Sequence, residues 1–424
     1  MHLAAAQSPE PLPSPSPSAT GPGTRTLYRG AALADGRSAR LRRDISVLVE
    51  DGIIAWIRPR DDEGETGPRR DVDIIDASGA TIVPGLVDSH GHVTLPGGAR
   101  WIDRGLDPPE RLLDTAEHNG RAATAGGVRW IRDVGSPRGD DPTGGGERAL
   151  GLVVRDAWST RPEMPYIRAA GTWVTRRGSL PAGLTVEVGD ADALLRAAER
   201  QLDDGADLVK LYLDGPDPDT APWSPSEVGR VVRMAHRRGA KVTAHAGWLD
   251  PARTAVAGGV DSLEHGFVLD ADVCREMARR RIALVSTLSV MHSWLSFGRT
   301  TTIDRFTARA RIRTIRDRLE RAEASVRLAR AAGVRIAAGS DFGGGSTRAG
   351  QLAWEVESLV RAGLEPWQAL GSATWRGGQL LGIRDAGRIR EGGPADFMLV
   401  HGDPLSDPSA LWRIWRVAWA ERTR

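Results

Sequence analysis

Between residues 81 and 340 the chain alternates short apolar runs with amphipathic stretches, and no other feature of the sequence restricts its fold as strongly. Eight runs have the length and apolar content of buried strands: 81–87, 128–134, 166–174, 207–213, 241–246, 262–265, 282–288 and 335–340. The stretches between them read as helices. Residues 191–202 carry apolar residues at helical spacing. Ser224-Pro225-Ser226-Glu227 places serine at an N-cap, proline first and glutamate third in the helix, a capping box that opens a helix through Arg238. Gly239 then ends it. Strands alternating with helices are the signature of βα units, and eight of them over about 280 residues predict an α/β fold, a (β/α)8 TIM barrel.

The flanks have a different texture. Residues 26–30, 45–49, 52–57 and 72–76 are short strand patterns separated by glycine and charged turns. Strand patterns return at 387–389, 396–400 and 412–419, after helices expected over 349–361 and 366–381. Segments 25–80 and 383–424 are therefore expected to form one small β-sandwich domain, with the barrel, 81–382, inserted between its halves. Residues 1–24, rich in proline, serine and alanine, read as a disordered leader. Formal net charge is only +2, from 57 basic and 55 acidic residues, which gives no support to a nucleic-acid partner. No run of apolar residues is long enough to span a membrane. The single cysteine, Cys274, excludes an internal disulfide and points to a reducing, cytoplasmic setting. The arginine-rich stretch 305–330 also holds Asp304, Asp317, Glu320 and Glu323 and reads as a solvated helix. Most of the 14 tryptophans read as core filling.

In a barrel of this kind chemistry sits at the carboxyl ends of the strands. The first strand leads into His90 and His92, which project to one side because strand residues alternate, with Gly91 between them leaving room for a metal to approach the backbone. Lys210 lies among apolar neighbours in the fourth strand. His245 ends the fifth, His265 the sixth, and Asp341 follows the eighth. Each residue alone has a bland reading as a hydrogen-bonded core or surface group. The ordered set, one after another at strand ends, points to a metal site. Tyr212, two residues beyond Lys210, and His292, just past the seventh strand, are candidates for substrate contact. Arg176, Arg177 and Arg299 lie in loops from which a substrate carboxylate could be met.

These motifs resemble the amidohydrolase superfamily, most closely its imidazolonepropionase-like and prolidase-like members. The matching residues are Pro84-Gly85-Leu86-Val87-Asp88-Ser89-His90-Gly91-His92, Arg132-Asp133-Val134-Gly135, Lys210, Ala244-His245-Ala246, Ser262-Leu263-Glu264-His265-Gly266, Ala338-Gly339-Ser340-Asp341, Ala373-Thr374 and Gly392-Gly393-Pro394-Ala395-Asp396-Phe397. The resemblance implies that His90, His92 and Asp341 hold the more buried of two divalent metals, most naturally zinc, with manganese or cobalt as other occupants. It implies that His245 and His265 hold the second, and that Lys210, carboxylated by CO2, bridges the two. A buried lysine with a depressed pKa can be neutral and so add CO2. The activity implied is hydrolysis of an amide or peptide-like C–N bond in a small molecule. Hydroxide held by the metals would attack, with Asp341 as general base and then acid. A dipeptidase, a carboxypeptidase-like enzyme and an N-acyl amino acid hydrolase all fit. The alternatives are a one-metal cyclic-amide hydrolase or deaminase and a lactonase or phosphotriesterase. Relatives often assemble, so a homo-oligomer is compatible with the resemblance, which does not determine the oligomeric state. Where many relatives carry Ser-Gly-Gly after the lysine, this chain has Leu211-Tyr212-Leu213, and that loop borders the substrate.

Overall fold

Short runs of Val, Leu, Ile and Ala, buried on both faces, make parallel strands that must be covered by helices. The computed structural model describes residues 18–20, 23–64, 72–144, 146–217 and 219–420. In it the strands Leu86–Gly91, Val128–Asp133 and Tyr166–Ala169 form one parallel sheet. A second parallel sheet of seven strands runs Val186–Val188, Val174–Arg176, Leu208–Tyr212, Lys241–Ala246, Ser262–His265, Ala283–Ser286 and Ile336–Ala338. Backbone hydrogen bonds link the two sheets at two places. Asp341 N donates to His90 O (2.8 Å) and His92 N to Phe342 O (2.9 Å) on one side, and Asp207 N to Ala169 O (2.8 Å) on the other. The architecture is a TIM-barrel-type α/β fold. Helix Pro225–Arg237 shows how the outer layer is made. The capping box at Ser224 is present, and Val228, Val231, Val232 and Ala235 face inward. Among the described residues no helix is long and apolar enough to cross a membrane.

The first expected strand, 81–87, is in fact two. Ala80–Pro84 pairs antiparallel with Phe397–His401, whereas Leu86–Gly91 pairs parallel with Val128–Asp133. Pro84 has no N–H to continue a ladder. Gly85 donates to Asp396 O (2.9 Å), and Arg129 is buried beneath the junction. Its guanidinium donates to Asp396 Oδ1 (2.9 Å), Pro162 O (2.7 Å) and Ala420 O (2.9 Å), tying the two parts together. The expected strand 166–174 also divides, into Tyr166–Ala169 and Val174–Arg176. The helix expected over 366–381 breaks into Pro366–Ser372 and Trp375–Leu381 around Thr374 (φ −130°, ψ −111°). The helix expected from 349 begins at Leu352.

Both ends of the chain meet in one mixed sheet of eight strands. Its order is Ser18–Thr20, Ile414–Ala420, Phe397–His401, Ala80–Pro84, Arg25–Leu33, Arg42–Glu50 and Ile53–Pro59, with Asp73–Asp76 also paired to Arg25–Leu33. Arg25–Leu33 shifts register at Tyr28/Ala31 and at Ala31/Leu33 against Arg42–Glu50, and its other edge pairs first with Asp73–Asp76 and then with Ala80–Pro84. Residues 387–389 form no strand. Within the expected leader, Ser18–Thr20 pairs parallel with Ala418–Ala420; residues 1–17, 21 and 22 lie outside the described residues.

Candidate active site

The strand ends converge on a cavity of about 330 Å³ lined by His90, His92, Lys210, Tyr212, His245, His265 and Asp341, among others. Ligand atoms of His90, His265 and Asp341 lie within 4.8 Å of one another, close enough to share one ion. His92 joins them, with Nε2 3.2 Å from Asp341 Oδ1; His90 Nε2 is 3.4 Å from the same oxygen. Asp341 (φ 51°) and His265 (φ 70°) both hold left-handed backbone conformations. Such conformations cost on the order of 1 kcal/mol or more each and tend to persist at functional sites.

Partners on the far side of each ring set its orientation. His90 Nδ1 lies 2.6 Å from Glu264 Oε2, and His92 Nδ1 lies 2.7 Å from Gly135 O. A carboxylate and a carbonyl only accept, so both rings donate from Nδ1 and leave the Nε2 lone pair facing the cavity. Burial, reinforced by the charge of Lys210, holds His90 well below the usual imidazole range. Burial and the neighbouring His245 do the same to His265. Neutral imidazoles are what a cation requires. Burial raises the Glu264 carboxyl, yet Arg132 and Lys210 outweigh it and hold the group below the usual range. Glu264 accepts from Arg132 (2.6 Å), Ser262 (3.1 Å) and Thr243. His245 Nε2 is 3.0 Å from Asp214 Oδ2, and the ring stacks on Tyr212 at 4.0 Å.

Lys210 is buried, and among the described residues nothing hydrogen-bonds its ammonium. Burial pulls it down to about 8, against the opposing charges of Glu264 and Asp341. A substantial neutral fraction near that pH gives it the free amine that ordinary lysines lack. Burial, with Asp214 adding to it, raises the Tyr212 phenol, so it stays a hydrogen-bond donor. The donor set, four imidazoles with one carboxylate and one neutralisable amine, fits a divalent cation.

Two expectations about substrate residues change. His292 does not line the cavity; it lies on helix Ser289–Phe297 beside Trp354, 6.3 Å between ring centroids. Arg176, Arg177 and Arg299 are likewise absent from the cavity wall, and Arg176 packs over Trp223. The guanidinium that does line it is Arg318, from the helix Arg309–Ala331, which was expected to be a solvated helix of mixed charge. A signal was present: Arg318 lies three residues after Ile315 and four before Ala322, in the helix's buried stripe. Asp214 was also missed, although Lys210, Tyr212 and Asp214 alternate on one side of a strand end. Four tryptophans, Trp101, Trp173, Trp248 and Trp294, wall the cavity and are not mere core filling. Gly91 serves packing, since a Cβ there would meet the Phe342 ring at 2.2 Å.

The model of the Amidohydrolase family matches residues 81–417. An uncharacterized protein of Mycobacterium tuberculosis is 30% identical over 384 residues, covering 88% of this chain and 93% of its own. Imidazolonepropionase of Salinispora tropica is 27% identical, with 89% of each chain covered. The crystal structure of a Xaa-Pro dipeptidase with bound methionine in the active site superposes with a TM-score of 0.79 at 25% identity, covering 94% of this chain and 99% of that one.

Proposed function

The chain belongs to the amidohydrolase family, and from that premise we propose that it is a binuclear metal-dependent hydrolase that cleaves an amide bond in a small N-acyl amino acid or dipeptide. As a family member it is a hydrolase acting on C–N bonds. The observation that supports the finer reading is the convergence of His90, His92, Lys210, His245, His265 and Asp341 on one cavity, with ligand atoms of His90, His265 and Asp341 within 4.8 Å of one another. His90, His92 and Asp341 would hold the inner ion, His245 and His265 the outer, and Lys210 as a carbamate would join them. Bound divalent ions supply Lewis acidity and lower the pKa of water at neutral pH.

The chain's own groups do the rest. Glu264 and Gly135 O fix the His90 and His92 rings. Asp341, beside three imidazoles, takes a proton from the attacking water and returns it to the leaving amine. Tyr212, which lines the same cavity, would donate to the carbonyl oxygen as charge develops there. The proposal extends to the architecture. The two parallel sheets would close into one barrel, with residues 25–84 and 383–420 forming a separate β domain joined to it at Gly85.

A one-metal reading, a cyclic-amide hydrolase, draws support from His245, whose Nε2 is already bound to Asp214 (3.0 Å). Elemental analysis decides between them. Protein purified with zinc and bicarbonate should hold about two metals per chain, falling to one or fewer in Lys210→Ala. One metal per chain, unchanged by the mutation, would sink the bridged site. Hydrolysis of N-acyl amino acids by the loaded protein tests the bond class.

A further inference from the structure

We infer that Arg318 is a carboxylate anchor, and that the substrate is therefore an acylated amino acid whose free α-carboxylate sits against this guanidinium; the inference rests on the amide-cleaving reading above and narrows it. Arg318 lines the same cavity as Asp341. Its Cζ lies 4.9 Å from the Trp248 ring centroid and 4.8 Å from that of Phe267, so two aromatic faces hold the group. Among the described residues it makes no ion pair or hydrogen bond, and its Nε is buried without a partner. The nearby carboxylate is already committed, since Asp214 Oδ2 meets His245 Nε2 (3.0 Å) and both its oxygens accept from Gly247 N. Gly247 lets both groups come close to the backbone: a Cβ there would lie 2.6 Å from Arg318 Nη2 and 2.7 Å from Asp214 Oδ2.

An unanswered, aromatic-braced guanidinium is costly to desolvate and is a rigid fork of donors. A planar carboxylate answers it in two parallel hydrogen bonds. With the scissile amide at Asp341, a carboxylate at Arg318 places the leaving amino acid between them. The walls of Trp101, Trp173, Trp248 and Trp294 favour an apolar or aromatic side chain.

The test compares L-phenylalanine with L-phenylalaninamide, which differ only at the carboxylate, binding to zinc-loaded protein at about pH 6.5, where both amines are protonated. Wild type should bind the acid about 10- to 100-fold more tightly. Arg318→Met should erase that preference while leaving amide binding unchanged, and Arg318→Lys should restore part of it. A purely structural role would weaken both ligands alike. Equal binding of the two in wild type, binding of neither, or an unchanged preference in Arg318→Met overturns the anchor. Hydrolysis of N-acetyl-L-phenylalanine and its carboxamide separates the two readings. Acid preference in binding without cleavage of either compound sinks the amide reading and leaves the anchor standing. Equal cleavage of both, indifferent to Arg318→Met, upholds amide cleavage and removes the anchor.

Discussion

Replacing Glu264 with glutamine changes one buried atom and should disable the metal site without touching a ligand. The Oε2 side of Glu264 faces His90 Nδ1 (2.6 Å), and the Oε1 side faces Arg132 Nη2 (2.6 Å), Ser262 Oγ (3.1 Å) and Thr243. A carboxylate can accept on both sides, whereas an amide can accept on only one. If the amide oxygen stays with Arg132, the NH2 group faces His90 Nδ1. That nitrogen must then accept, the ring proton moves to Nε2, and the lone pair facing the cavity is lost. If the amide turns round, its NH2 group confronts the Arg132 cation instead. Loss of such an orienting partner typically costs about 10- to 100-fold in metal affinity. Arg132 keeps Ser89 O (2.7 Å) and Ser262 Oγ (3.0 Å), so the loss of its buried anion should fall at the low end of the usual range, about 3 kcal/mol. Zinc affinity is read by competition with a chromophoric chelator, and stability by denaturant unfolding of the metal-free protein. Thr243→Val is the control, since it removes one donor to the same carboxylate without reaching His90. Zinc affinity within about twofold of wild type in a folded Glu264→Gln protein would refute the argument that this carboxylate sets the tautomer.

Asp341→Asn keeps one oxygen but loses the base, so kcat should fall by about 10²- to 10⁴-fold while elemental analysis still finds most of the metal. Wild-type turnover would remove Asp341 from proton transfer. Glu355 is buried, and burial pushes its carboxyl up to about 7 from 4.5, despite hydrogen bonds from Ser286 Oγ (2.7 Å) and Ser289 N (2.7 Å). The folded chain thus holds this proton more tightly than the unfolded one. The contribution is fully present below pH 4.5 and fades as pH rises to about 7, a fall of about 3 kcal/mol that Glu355→Gln should abolish in denaturation curves taken across this range. Arg129→Met leaves the Asp396 carboxylate buried without its cation and should cost about 3–5 kcal/mol in denaturant unfolding, part of which Asp396→Leu recovers in the double mutant. An undiminished unfolding free energy in Arg129→Met would show that the junction does not depend on this pair.

The sequence by itself determined the alternation of strands and helices, because period and β-branched content are local properties. The strands Lys241–Ala246 and Ser262–His265 were legible to the residue. It also determined which residues stand at the strand ends: His90, His92, Lys210, His245, His265 and Asp341 are marked by motif and position and meet in one cavity. Where partners are remote in the chain, the sequence was silent. The break at Gly85 follows from Phe397–His401 claiming Ala80–Pro84, a pairing more than three hundred residues away. The pairing of Arg25–Leu33 with Arg42–Glu50 depends on register shifts that alternation does not encode. The orientation of His90 depends on Glu264, and the ring of His245 on Asp214. Arg318 looked solvated because its helix is studded with charge, yet packing turns its face toward Trp248 and Phe267. Periodicity ranks a residue by its own type and its near neighbours, whereas the protonation and direction of a buried polar group are fixed by whatever tertiary structure sets beside it.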